Sequence, residues 1–84
     1  LLTIKKNEFM KIEEFVEKFA NEFDETPVES FKAETVFKEL DEWGSLVALS
    51  IISMIDEEYN KRITGADIRK CETINDLYEL AEKL

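Results

Sequence analysis

The chain has no histidine, one cysteine, one proline and two glycines among its 84 residues. Each shortage excludes something. Without imidazole the commonest general base and the commonest metal ligand are both missing, so catalytic dyads and triads built on histidine are ruled out. Cys71 has no partner for an intrachain disulfide, and small secreted domains depend on such bridges, so a reducing, cytoplasmic location is expected. The apolar run from Leu46 to Ile55 is interrupted by Ser50 and falls well short of the roughly 20 residues that cross a bilayer. The N-terminal residues lack the apolar stretch of a secretion signal. Basic residues are also few: 11 Lys and Arg stand against 20 Asp and Glu, a net charge of −9. Nucleic acid and anionic membrane surfaces are therefore excluded as partners, since both need a basic patch. Such a balance suits basic partner proteins or metal ions, and self-repulsion favours a monomer.

What is present is enough to fold. The length allows one domain, residues 1–84, with a thin core. Six Phe, two Tyr and one Trp within a 44% hydrophobic composition can fill it. With so few breakers the chain is expected to be all-α. Phe9, Ile12, Phe15, Val16, Phe19 and Phe23 recur at steps of three and four, which predicts a first amphipathic helix from Asn7 to Phe23. Pro27 closes that region. Pro27 to Gly44 has no sustained period and reads as a long loop with one helical turn near Thr35 to Leu40, a length that in a small domain is usually functional or else counts against the loop assignment. A second helix is expected from Ser45, as its N-cap, to Tyr59. Its apolar residues cover most of the circumference, so it is expected to be the central and most buried element. Its one polar stripe holds Ser50, Ser53 and Glu57, and Leu46 lies in that stripe. A short helical piece, Thr64 to Lys70, follows. Thr73 with Asp76 forms an acidic capping box that opens a last helix carrying Ile74, Leu77, Tyr78, Ala81 and Leu84.

Taken alone, Ser45 reads as a plain N-cap. Its surroundings say more. Phe37, Glu39, Gly44-Ser45-Leu46, Asp56-Glu57-Glu58-Tyr59, Ile63, Thr73 and Ile74 resemble, without a gap from the serine onward, the acyl carrier protein family. The resemblance implies a four-helix bundle with a long first loop and a short third helix. It also implies that Ser45 is esterified by 4′-phosphopantetheine, whose thiol holds an acyl group as a thioester. A phosphodiester at a helix start faces unpaired amides and the positive dipole end. The thiol belongs to the cofactor, so the protein needs no base of its own and is expected not to be an enzyme. Implied partners are a phosphopantetheinyl transferase and the ligase, synthase or acyltransferase that loads the carrier in fatty acid or specialised metabolite biosynthesis. The carried group could fold back between helices against the second one.

Two departures from the family stand out. Gly44 replaces the acidic residue that usually precedes the serine and helps the transferase and its metal ion; Asp41 and Glu42 lie nearby on the loop. The early part of the second helix, normally an acidic recognition face, carries Val47 and Ser50, with acids only at Asp56, Glu57 and Glu58. Partner docking is therefore expected on Leu46, Leu49, Ser50, Asp56 and Glu57, with Leu46 the main contact. Gly44 also favours a second class, an unmodified adaptor that keeps the carrier fold; an aminoacyl or peptidyl carrier is a third. Asp56, Glu58, Asn60 and Asp67 mimic a calcium loop, but Lys61 stands where the turn requires glycine. Cys71 is expected to be a buried apolar filler. Trp43 is expected to be a lid packing the long loop onto the helices.

Overall fold

The computed structural model describes residues 11–84. Four helices follow one another: α1 (Ile12–Ala20), α2 (Ser45–Tyr59), α3 (Gly65–Lys70) and α4 (Ile74–Lys83). No strand occurs among the described residues, as an all-α four-helix bundle of the acyl-carrier type requires. α1 packs on α4 and α2, and α2 packs on α3.

α1 buries one face, Phe15, Phe19 and Ala20, and points its acids outward. It ends earlier than the sequence predicts, while the expected start at Asn7 to Met10 lies outside the described residues. The apolar period runs on to Phe23, but the chain tightens first: the Glu22 amide donates to the Phe19 carbonyl and the Phe23 amide to Ala20. Phe23 is thus a buried residue of a turn.

The connection from Pro27 to Gly44 contains two 3-10 turns, Val28–Ser30 and Phe37–Glu39, where one was expected. Proline fixes the entry to the first. The connection is stitched down by backbone bonds to the start of α4. Phe37 donates to Glu72, Ile74 to Thr35, and Asn75 to Ala33, with Val36 and Thr73 forming an isolated antiparallel bridge. These bonds satisfy amides and carbonyls that a free loop would leave to water.

α2 has the expected bounds but not the expected burial. Only its Ile51, Met54 and Ile55 are buried, whereas Leu46 and Leu49 are 79% and 62% exposed. An apolar circumference cannot all be covered when neighbours pack on one side. The fully buried side chains, Phe15, Phe19, Phe37, Ile51, Ile55, Ile74 and Leu77, come instead from α1, the connection, α2 and α4. α2 closes at Asn60: its amide still donates to the Asp56 carbonyl, and its left-handed backbone (φ 57°) then turns the chain off the helix, a conformation asparagine tolerates better than most residues. α3 and α4 both open with complete capping boxes, Thr64 with Asp67 and Thr73 with Asp76. Asp67 is thereby occupied at a helix start rather than turned toward a calcium loop. Cys71 is buried, and that burial pushes its thiol up, away from the reactive thiolate.

Glu42 holds the turn after α1. Its carboxylate accepts the amides of Asp24 (2.8 Å), Glu25 (3.1 Å) and Thr26 (3.0 Å) and the Thr26 hydroxyl (2.7 Å). The hydroxyl first, then the amides, hold its carboxyl below the ordinary 4.5. At Asp76 the Thr73 and Glu72 amides hold the carboxyl below 3.8. A carboxyl depressed on folding contributes stability above its unfolded value and loses it as pH falls through the folded one. Stability from these two groups is therefore present at neutral pH and should fall below about pH 4.5. Glu42→Gln offers one acceptor oxygen and turns an NH2 toward donors. It should lower the urea midpoint at pH 7, and its curve should converge on that of the unsubstituted chain as pH falls through the Glu42 value; parallel curves at all pH values would refute the clamp.

Candidate functional site

The start of α2 differs from those of α3 and α4. The structure makes Gly44, not Ser45, the N-cap: its carbonyl accepts the Ala48 amide at 2.9 Å, and Ser45 is the first helical residue. No side chain caps this end and no acid stands in its first turn. Ser45 is exposed. Its hydroxyl is thus left out of the cap, beside first-turn amides that a phosphate ester could face.

Trp43, just before, packs inward as expected of a lid. Its ring stacks on Phe19 (6.5 Å, 3°) and meets Phe37 edge-on at 4.8 Å. Its outer side lines an open groove of about 400 Å³ that also includes Ser45, Ala48 and Ile68, with Lys38 and Arg69. Lys38 is held in place by donating to the Arg69 carbonyl at 2.8 Å.

On the other flank a groove of about 440 Å³ is lined by Leu46, Leu49, Ser50 and Met54 with Glu22 and Glu57. Here the structure brings together four of the residues singled out in the sequence, Leu46, Leu49, Ser50 and Glu57; Asp56 is exposed but does not line this groove. Glu58 forms an ion pair with Lys18 of α1 at 3.3 Å. Glu22 is the residue the sequence did not point to. Partial burial, then the charges of Glu57, Asp24 and Glu58, hold its carboxyl above the ordinary value; with Glu57 it places acids beside the two exposed leucines. Its only sequence signal was a place on the polar side of the helix predicted from Asn7 to Phe23, far from Leu46 along the chain; in the structure it sits in the turn after α1.

The acid missing before Ser45 is not replaced by Glu42, whose oxygens are engaged with residues 24–26. Among the described residues no group of three or more carboxylates or thiols is placed to hold a metal ion. Position 44 has room for an acid: a Cβ there meets nothing within 4 Å, and the extended backbone (φ −176°, ψ −175°) suits any residue. Gly44→Asp should stabilise the fold by about 0.3–1 kcal/mol through capping and the helix dipole. It should also raise the rate at which a transferase serving ordinary carriers modifies the chain. Equal rates, followed by intact mass over time, would show that the carboxylate is not needed.

The family described as the phosphopantetheine attachment site matches residues 13–81 of the chain. No curated protein and no solved structure matches it.

Proposed function

Because this chain belongs to the family of phosphopantetheine attachment-site domains, we propose that it is an acyl carrier protein with Ser45 as the esterified residue. The supporting observation is an exposed serine on the first turn of an uncapped helix, inside the matched region. Bound there, 4′-phosphopantetheine supplies the thiol that holds an acyl or related carboxyl group as a thioester. The chain's own residues place, expose and present that arm, and none is needed for chemistry, so the chain is not an enzyme on this reading. Intact mass of the protein from its own host, with fragment mapping, tests it: one phosphopantetheinyl group on Ser45 is expected. A chain unmodified in its host and refractory to every broad-specificity transferase would instead be the carrier-fold adaptor that Gly44 favours.

A carrier of this family meets a phosphopantetheinyl transferase and biosynthetic enzymes. We place the docking of the loading ligase, synthase or acyltransferase on Leu46 and Leu49, with Ser50 and the acids Asp56, Glu57 and Glu22 around them. Exposed ion pairs contribute about 1 kcal/mol or less, whereas burying a leucine contributes about 1.5–3 kcal/mol. Leu46→Ala should therefore weaken binding to the loading enzyme roughly tenfold or more, beyond any single neutralisation of Asp56 or Glu57, with helical content unchanged. Added salt should mainly slow association. Calorimetry finding Leu46→Ala unchanged and Glu57→Gln inactive would make the surface electrostatic. No helix among the described residues is long and apolar enough to cross a membrane.

A further inference from the structure

We infer that the groove between Trp43, the first turn of α2 and α3 seats the proximal half of the prosthetic arm, with Lys38 and Arg69 flanking the phosphodiester and Trp43, Ala48 and Ile68 receiving the gem-dimethyl group next to it. This rests on attachment at Ser45, and it assigns the chain's own residues to the arm.

Charge carries the argument. The chain has a net charge of −9, yet the lining of this groove includes two cations and no acid, whereas the groove on the Leu46 flank includes Glu22 and Glu57 and no cation. Ser45 lies on the boundary between the two. A phosphodiester fixed to it meets attraction on one side and repulsion on the other. Lys38 uses one of its three N–H donors on the Arg69 carbonyl, which orients the ammonium and leaves two for an anion. Arg69 has no ion pair among the described residues. Its guanidinium lies back along α3, with one terminal nitrogen 3.6 Å from where a Cβ on Gly65 would stand. A planar guanidinium keeps its full charge at any working pH and suits phosphate oxygens.

The floor matches the next part of the arm. Trp43, Ala48 and Ile68 make the groove mainly apolar beneath its cationic rim, and in phosphopantetheine the phosphate is followed, after one methylene, by a quaternary carbon with two methyl groups. A charged head beside a compact apolar body is the order in which rim and floor occur. About 400 Å³ accommodates this segment while the thiol end remains free. The Leu46 face stays clear for a partner.

Trp43 is the chain's one tryptophan, so its indole reports on the groove without labelling. The full chain is converted with a broad-specificity transferase and coenzyme A, and intact mass records the conversion. Expected results are a shift of Trp43 emission on conversion and nuclear Overhauser contacts from the two methyl groups to the indole protons. Lys38→Gln with Arg69→Gln should reduce the emission shift by at least half at equal conversion and unchanged helical content. Arg69→Gln alone, which breaks no side-chain hydrogen bond among the described residues, should reduce it in part and keeps the test readable if the double variant unfolds.

Full conversion with no Trp43 response and no such contacts overturns the inference and leaves the carrier reading standing. A response seen only when the carried thioester ends in a carboxylate also overturns it, since the cations would then serve the cargo. No conversion by mass removes the carrier reading, and the inference with it.

Discussion

Ser45→Ala should abolish phosphopantetheinylation completely while leaving the fold intact. On the proposed attachment the loss is all or none, because the serine oxygen would form the phosphoester bond and no neighbouring side chain can substitute: Gly44 has none and Leu46 has no hydroxyl. The fold should survive because the cap is Gly44 and the Ser45 hydroxyl accepts no capping bond. Alanine is the best helix former, so the substitution should change stability by no more than about 0.5 kcal/mol. Had Ser45 been the N-cap, its loss would cost about 1 kcal/mol. Urea denaturation thus separates the two placements, and intact mass after transferase treatment reads the modification. A gain of the full phosphopantetheinyl mass by the variant would move the attachment elsewhere.

Phe19→Ala should be the most destabilising single change in the bundle. Phe19 is fully buried, and its ring neighbours those of Phe15, Phe23, Phe31, Phe37 and Trp43, with centroids 5.5–6.5 Å away. It joins α1 to both ends of the long connection. Truncation removes the buried ring and leaves a cavity that aromatic neighbours on three segments cannot close together, a cost of about 3–5 kcal/mol. Whole domains have only about 5–15 kcal/mol of stability, so the urea midpoint should fall by about a fifth or more. Trp43 emission should move to the red as its stacking partner disappears. Phe19→Leu, which keeps much of the volume, should lose less than half as much. Equal midpoints for Phe19→Ala and the unsubstituted chain would mean that the aromatic cluster is not what holds the connection down.

The parts legible in the sequence are those set by local physics. The Thr73–Asp76 capping box, the start of α2 and the short α3 could be read because a few adjacent residues decide them. The end of α1 could not, because the same apolar spacing continues through the tight turn to Phe23. The order of the Pro27–Gly44 connection was equally hidden. It comes from bonds to residues 72–75 and from Glu42 reaching back to residues 24–26, and no window of neighbouring residues contains both partners. The site divides the same way. Ser45, Leu46 and Leu49 lie on one short stretch with a recognisable register, but Glu22, Lys38 and Arg69 reach it from the turn after α1, the connection and α3. The misplacement of Ser45 as N-cap has a local reason too: serine is a preferred cap, and only the backbone geometry shows that Gly44 takes the position.

With α2 uncapped and its first turn free of acid, a phosphodiester on Ser45 would supply the negative charge that this end lacks. Charge at such a position strengthens a helix by about 0.3–1 kcal/mol. Where opening is fast relative to cleavage, that lowers the protease-sensitive population about two- to fivefold. On that reading the unmodified chain would be the more protease-sensitive form, and turnover would enrich the pool in chains that have received their arm.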